Sequence, residues 1–207
     1  MLYILTGDIQ IGKTRWLEAL VGDLGERGVP VRGVLAPGVW KPNPACPNGL
    51  EKLGIDNVLL PGGERIAFAR RRDLDPAARS EMERHGMPAD MKLAWSFSDE
   101  AIARVNVHFE RFAALDDAPA AARPARPGLL VVDELGRLEL ERGGLGLTSA
   151  VALVKRGPRA AWPHTLIVVR DWLVPRAREA FAPAWGGAVR EISPCPAARE
   201  ELLGLFG

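Results

Sequence analysis

A glycine-bounded loop near the start of the sequence carries the first residue pattern with a clear chemical use. Residues 7–14 fit Gly-x-x-x-x-Gly-Lys-Thr at every fixed position. Glycine lets successive backbone N–H groups turn inward on an anion, and the helix that follows adds its positive end. The lysine of such a loop reaches the β- and γ-phosphates, and the next hydroxyl completes a Mg²⁺ shell. The pattern predicts a nucleoside-triphosphate site with contacts from Gly7, Asp8, Ile9, Gln10, Ile11, Gly12, Lys13, Thr14 and Arg15.

A fully apolar run, residues 129–132, ends in two acids, Asp133 and Glu134. The phosphate loop also follows an apolar run, and parallel strands present their ligand sites at their carboxyl ends. We therefore expect both motifs to open onto one edge of a sheet. Asp133 is predicted to hold Mg²⁺ together with Thr14, because this ion takes oxygen ligands and keeps part of its water shell. Glu134 is predicted to orient or deprotonate an attacking water, so it and Lys13 are the predicted catalytic residues.

Apolar runs that alternate with amphipathic stretches indicate the elements that must position these residues. Such an alternation predicts an α/β fold in which a mainly parallel sheet carries helices on both faces. Ser98 is a predicted helix cap, with two acids in the first turn that follows it. The predicted strands are residues 2–5, 31–36, 129–132, 165–169 and 188–192, and the predicted helices are 13–27, 98–115, 145–156 and 175–181.

Residues 37–127 interrupt the alternation and are predicted to contain an insertion or flap. Pro61-Gly62-Gly63 separates strand candidates at 57–60 and 64–69 and is typical of a hairpin turn. Three stretches are expected to be irregular: 37–56 as a loop or hairpin tip, 70–95 as a polar flap, and 116–128 as an exposed Ala/Pro connector.

The acidic strand end also carries a family resemblance. Residues 131–140 read Val-Val-Asp-Glu-Leu-Gly-Arg-Leu-Glu-Leu, which resembles the Asp-Glu-Ile-Gly-x-Met-Glu-Leu signature of the small cancer-related (thermophile-type) nucleoside-triphosphatases. The resemblance implies a single P-loop NTPase domain over residues 1–207, with a three-layer fold and a RecA-like sheet. It also implies slow Mg²⁺-dependent hydrolysis of ATP, GTP and other nucleoside triphosphates with low base selectivity.

Matched position by position, the resemblance makes Lys13 the phosphate lysine of a Walker A loop. Thr14 and Asp133 match the family's Mg²⁺ positions, and Glu134 matches its catalytic glutamate. Glu139 also matches the signature, either near the site or in a structural role. The chain departs from the family in its loop, which usually reads Gly-Pro-Pro-Gly-x-Gly-Lys-Thr-Thr, and at residues 37–41, where Pro-Gly-Val-Trp-Lys stands in place of a Glu-Val-Arg segment.

Two arginines are further phosphate candidates. Arg170 ends strand 165–169, and a strand placed between the phosphate-loop strand and the acidic strand often carries a γ-phosphate sensor. An ion pair with Asp171 or Glu179 is the alternative. Arg137 is the second candidate. The tryptophans lack a basic, interleaved pattern and are interpreted as packing residues rather than base-stacking ones: Trp16, Trp40, Trp95, Trp162, Trp172 and Trp185.

Composition narrows the class of protein. The 207 residues carry a net charge of +1, which gives no electrostatic reason to expect nucleic acid as a partner. No apolar run approaches a membrane span and no signal-type segment is apparent, so a cytoplasmic protein without membrane contact is expected.

The expected partner is a nucleoside triphosphate, ATP or GTP. Three functions fit these observations: a triphosphatase, a nucleotide or small-molecule kinase, and a nucleotide-dependent adaptor with vestigial hydrolysis. The third would require a protein partner. The chain has no Lys-x-Asp segment, which argues against a guanine-selective switch.

Overall fold

One twisted sheet organises the protein. The computed structural model describes residues 1–46, 48–74, 95–116, 126–142 and 144–207. Within these residues nine strands are hydrogen-bonded into the sheet. They are β1 (Leu2–Leu5), β2 (Val31–Leu35), β3 (Gly38–Pro42), β4 (Leu50–Leu60), β5 (Glu64–Arg71), β6 (Trp95–Phe97), β7 (Leu129–Leu135), β8 (His164–Val169) and β9 (Val189–Ile192).

The sheet has a parallel half and an antiparallel half. Its strand order is β6-β5-β4-β2-β7-β8-β1-β9, and β3 pairs with β4. Neighbours from β2 to β9 in this order run parallel, whereas β3, β4, β5 and β6 pair antiparallel. The central parallel strands are apolar because both of their faces are covered. The predicted parallel core is confirmed, and β8 lies between β1 and β7.

Helices cover both faces of the sheet and give the fold three layers. They are α1 (Lys13–Glu26), α2 (Asp99–Asp116), α3 (Arg137–Leu140), α4 (Thr148–Val154), α5 (Val174–Phe181) and α6 (Pro196–Gly204). On one face, Leu17 and Leu24 of α1 pack with Leu202 of α6 in one buried cluster. On the other face, Phe109 of α2 and Phe181 of α5 lie in a second cluster. This arrangement confirms the predicted fold class.

Local signals account for the elements that the sequence predicts. The Ala101 N–H donates to the Ser98 hydroxyl at 3.2 Å, so the predicted cap of α2 is present. The predicted turn at residues 61–63 joins β4 to β5. Helix α6 was not predicted, although a proline in the first turn, here Pro196, is typical of a helix start. In the structure Ala198 and Leu202 of this helix are buried.

The interpretation of residues 37–56 as irregular was partly wrong. They form β3 and the first half of β4, a hairpin whose tip is rich in Pro and Asn, because pairing with each other and with β5 supplies the backbone hydrogen bonds. Arg70 and Arg71 belong to β5 rather than to a loop. The rest of the predicted flap, residues 75–94, and most of the predicted connector, 117–125, lie outside the described residues. Among the described helices, none has the length and apolar character to cross a membrane.

Candidate functional site

The carboxyl ends of β1, β2, β7 and β8 meet at a cleft of about 620 Å³. One wall comes from the phosphate loop and the ends of β7 and β8, and we call it the parallel wall. The other comes from β3, β4 and β6, and we call it the antiparallel wall. Six of the predicted phosphate-loop residues line the cleft: Ile9, Gln10, Gly12, Lys13, Thr14 and Arg15. The remaining three, Gly7, Asp8 and Ile11, are not among the lining residues, and the Asp8 side chain is exposed.

The phosphate loop has the backbone geometry that its glycines permit. Gly7 has a φ of 128° and Gly12 a φ of 91°, and Gln10 between them also has a positive φ of 63°. Helix α1 begins directly after Gly12 and receives no side-chain cap. The first N–H groups of α1 have no partner within the helix. They lie at the helix end next to the cleft, so an anion is favoured there.

Lys13 closes this loop in the structure. Its Nζ donates to the carbonyl oxygens of Gly7 and Asp8, both at 2.7 Å. Burial lowers the pKa of Lys13, and the nearby Glu134 carboxylate opposes that shift. The lysine is thus held over the loop by two neutral carbonyls, and a phosphate group would be a stronger partner because it is charged.

Asp133 is the buried acid of the site. Its side chain lies in a position that is 2% exposed, where Oδ2 accepts the Ala36 N–H at 2.8 Å and Oδ1 accepts the Thr14 hydroxyl at 3.5 Å. Burial raises the pKa of Asp133 to about 7, and the Ala36 N–H opposes this shift. A carboxylate and a hydroxyl this close offer two hard oxygen ligands, so these residues fit a Mg²⁺ ion that takes its other ligands from water and phosphate.

Glu134 sits at an irregularity of β7. Its φ is 69°, a left-handed value that is unusual for a residue with a side chain. The pairing of β7 with β8 shifts register between Val132 and Leu135, so the strand leaves the regular ladder at the two acids. As a result, Asp133 and Glu134 both line the cleft, although neighbouring residues of a regular strand point to opposite faces. Such backbone strain concentrates at functional sites.

Arg170 also reaches the cleft from the end of β8. Its Nε and Nη2 donate to Glu134 Oε1 at 3.2 and 2.9 Å. The ion-pair partner is therefore Glu134, and the alternative pairs with Asp171 or Glu179 were wrong: the Asp171 carboxylate accepts the Trp172 N–H, and Glu179 pairs with Arg176. Arg170 lines the cleft, so its predicted contact with phosphate is compatible with this structure.

The second half of the signature is structural. Glu139 Oε2 accepts the Gly136 N–H at 2.9 Å, and Oε1 accepts the Leu147 N–H at 3.0 Å. Burial raises the pKa of Glu139, which these backbone donors oppose. Glu139 therefore holds the start of α3 against the start of α4, and it does not line the cleft.

Arg137 is placed away from the cleft. Its Nε donates to Glu141 at 2.7 Å, and its guanidinium lies 5.7 Å from the ring centre of Trp172. It is not among the residues that line the cleft, so the structure does not bring this predicted phosphate contact to the site.

Sequence reasoning missed the antiparallel wall. Trp40 of β3, Lys52 of β4 and Trp95 of β6 line the cleft, and two of these were interpreted as packing tryptophans. The position of Trp95 in the chain contains no signal, because Trp95 becomes a neighbour of Trp40 and Lys52 only when β3, β4, β5 and β6 pair. A hairpin prediction over residues 37–56 would have placed Trp40 near Lys52.

Comparison with known proteins shows the fold. Neither a family model nor a curated protein matches the chain. THEP1 from the hyperthermophile Aquifex aeolicus, a crystal structure, aligns over 100% of this chain and 99% of its own with a TM-score of 0.59 and 15% identity. A human cancer-related nucleoside triphosphatase, a solution structure, aligns over 98% of this chain and 93% of its own with a TM-score of 0.54 and 18% identity. The chain is thus similar in fold to the family that its signature resembles, and it has the P-loop NTPase fold.

Proposed function

We propose that this chain is a Mg²⁺-dependent nucleoside triphosphatase that hydrolyses nucleoside triphosphates to diphosphate and phosphate with low base selectivity. The observation that carries the proposal is the meeting of Lys13, Thr14, Asp133 and Glu134 in one cleft. These residues come from two segments more than a hundred positions apart, and they supply a phosphate cradle, two metal-ligand oxygens and a base. A protein of the same fold bears the name nucleoside triphosphatase, which supports the same reaction class here.

Binding would exchange the contacts of the resting site for contacts with phosphate. Lys13 leaves the carbonyl oxygens of Gly7 and Asp8 for the β- and γ-phosphates, where its charge is better matched. Thr14 and Asp133 would hold Mg²⁺, which would neutralise charge on the phosphate oxygens. Arg170 lines the same cleft beside Glu134, so it can follow the terminal phosphate as it enters.

Glu134 would act on the nucleophile. Released from Arg170, its carboxylate accepts a proton from water as the water oxygen attacks the γ-phosphorus. The bond between that phosphorus and the β–γ bridging oxygen breaks, and the bridging oxygen leaves with the diphosphate. The sequence has no Lys-x-Asp segment of the kind that reads guanine, which is consistent with low base selectivity.

The test is phosphate release from ATP, GTP, CTP and UTP with and without Mg²⁺. We expect release from several nucleotides and its loss on chelation of the metal. Glu134→Gln should lower turnover by about 100-fold or more while triphosphate binding persists. Glu141→Gln is the matched control, because Glu141 is exposed and pairs with Arg137 outside the cleft.

Other outcomes would redirect the proposal. Normal turnover by Glu134→Gln would remove Glu134 from the mechanism and leave the binding site intact. Binding of triphosphates without release by the native chain would favour a kinase that awaits its acceptor or an adaptor that awaits a protein partner.

A further inference from the structure

The antiparallel wall presents a lysine in contact with two tryptophans. Trp40 and Lys52 are direct cross-strand partners on β3 and β4, and Trp95 comes from β6. Lys52 Nζ lies 5.8 Å from the ring centre of Trp40 and 5.3 Å from that of Trp95. Both distances are within the range of cation–π attraction, so the two rings fix the position of the ammonium group.

The neighbouring charges on the same hairpin are neutralised, whereas Lys52 has no charged partner in the part of the chain that the structure describes. Glu51 accepts ion pairs from Lys41 at 3.0 Å and from Arg71 at 2.7 Å. Among the described residues, Lys52 Nζ makes neither a hydrogen bond nor an ion pair beyond its two ring contacts. Lys52 lines the cleft, whereas Glu51, Lys41 and Arg71 are not among the lining residues. An unpaired cation in a cleft is a site for an anion.

Lys52 lines the same cleft as the phosphate loop. Burial lowers the pKa of Lys52, Glu134 and Asp133 oppose that shift, and Arg170 reinforces it. Glu134 and Arg170 also perturb Lys13, on the parallel wall. Glu134 and Arg170 therefore interact electrostatically with both lysines, which lie on opposite walls of one cleft.

Both tryptophans contact the lysine. Lys52 Nζ lies over the Trp40 ring and over the Trp95 ring, so each ring already has a cation as its partner. Gly38 makes room for this arrangement. A Cβ at Gly38 would stand 2.5 Å from Trp40 Nε1 and 3.0 Å from Lys52 Cε.

We propose that Lys52 binds the terminal phosphate of a nucleoside triphosphate from the wall opposite the phosphate loop, with Trp40 and Trp95 as its positioning residues. The inference rests on the proposed function and names a further residue for it. The terminal phosphate is present in the triphosphate and absent from the diphosphate, so Lys52 distinguishes substrate from product. Negative charge spread over the equatorial oxygens of the transferring group in the transition state strengthens the contact.

The test compares Lys52→Met, Lys52→Arg and the matched control Lys41→Met on the same hairpin. Binding of a non-hydrolysable imido analogue of ATP, binding of ADP, and turnover of ATP are measured for each. We expect Lys52→Met to weaken analogue binding about 10- to 100-fold, to leave ADP affinity within about twofold, and to lower kcat by about 100-fold. Lys52→Arg should recover most of the triphosphate preference, and Lys41→Met should match the native chain.

The outcomes separate this inference from the proposed function. Lys52→Met that binds the analogue and turns over ATP as the native chain does would overturn the role of Lys52 alone. Equal weakening of analogue and ADP would also overturn it, since a general loss of the site is not recognition of the terminal phosphate. Failure of the native chain to bind any triphosphate would overturn the proposed function and this inference together.

Gly38→Ala tests the positioning of the lysine without removing a charge. The added methyl group displaces Trp40 and Lys52, and Gly38 has no positive φ that alanine would strain. We expect the preference for the imido analogue over ADP to fall about tenfold while ADP affinity and the unfolding midpoint stay near native values. An unchanged preference would show that the tryptophan cradle does not set the lysine's position.

Discussion

The two walls of the cleft are built from different kinds of contact. On the parallel wall the charged groups of Lys13, Glu134 and Asp133 already have partners: Lys13 lies on loop carbonyls, Glu134 pairs with Arg170, and Asp133 accepts the Ala36 N–H. On the antiparallel wall Lys52 contacts only two aromatic rings among the described residues. The parallel wall must therefore exchange contacts when a ligand enters, whereas the antiparallel wall presents its cation in advance. Preorganised charge of this kind costs no rearrangement at the moment of reaction.

The walls also differ in what holds them together. The residues of the parallel wall come from the ends of the buried strands β7 and β8 and from the loop and first helical turn that follow β1, so they lie close to the core in the chain. The antiparallel wall joins β3 and β4 to the more distant β6. Among the described strands, it meets the parallel half of the sheet at β2, which pairs with β7 on one side and with β4 on the other. We call β2 the seam, and the relative position of the walls depends in part on it.

The largest expected effect comes from breaking the seam. Gly33 of β2 has a φ of 119°, and a Cβ there would stand 1.8 Å from the Val131 carbonyl oxygen. Because this atom is backbone and cannot move aside, Gly33→Ala should lower the free energy of unfolding by more than about 4 kcal/mol, measured by urea titration. Gly22→Ala is the control. Gly22 lies in α1 with open space around it, so this substitution should raise the free energy of unfolding by about 0.5–1 kcal/mol. A native midpoint for Gly33→Ala would mean that the strands can separate without loss of the fold.

Lys13→Ala removes the central cation of the parallel wall. We expect triphosphate affinity to fall about 100-fold and turnover to fall further, because the phosphates lose a charge-assisted contact that Lys52 cannot replace from the other wall. Calorimetric titration and phosphate release measure the two effects. Lys155→Ala, an exposed lysine outside the cleft, should change neither. Affinity retained by Lys13→Ala would shift the main phosphate contact to the antiparallel wall.

Arg170→Ala tests whether the resting ion pair of the parallel wall restrains or assists catalysis. If Arg170 follows the terminal phosphate, turnover should fall about 10- to 100-fold in steady-state assays, because the transition state loses one cation. Arg176→Ala, which breaks an exposed pair on α5, should be neutral. Faster turnover by Arg170→Ala would mean that the arginine mainly withholds Glu134 from water.

The smallest effect is expected behind the parallel wall. Glu139→Ala leaves the Gly136 and Leu147 N–H groups without their acceptor and should cost about 1–3 kcal/mol in urea unfolding. Turnover per folded molecule should stay within about threefold of native, because Glu139 does not line the cleft. Arg137→Ala serves as the comparison and should cost less than about 0.5 kcal/mol, since its ion pair is exposed. A large loss of turnover by Glu139→Ala with little loss of stability would assign this residue to the site.

Much of the fold and of the parallel wall could be predicted from the sequence. The parallel strands, α1, α2 and the turn at residues 61–63 carry local signals of apolar periodicity, capping or turn chemistry. The phosphate loop could be recognised because its backbone must wrap one phosphate group, and consecutive residues are needed for that. Asp133 and Glu134 were found because they end a buried strand.

The short elements were harder to predict. Helix α3 has only four residues, and β3 lies in a stretch dense in Pro and Gly, so neither has enough sequence for a periodic pattern to emerge. Their hydrogen bonds come from neighbours that a local reading does not contain.

By itself, then, the sequence determined a parallel α/β core, a phosphate loop, and the two acids that face it. Each of these depends on residues that are neighbours in the chain, where periodicity and spacing act directly. Only the tertiary structure decided that Arg170 pairs with Glu134, that Glu139 accepts backbone N–H groups, and that Lys52 contacts Trp40 and Trp95. These contacts depend on strand order and register, which are set by the packing of the whole sheet and not by any one segment.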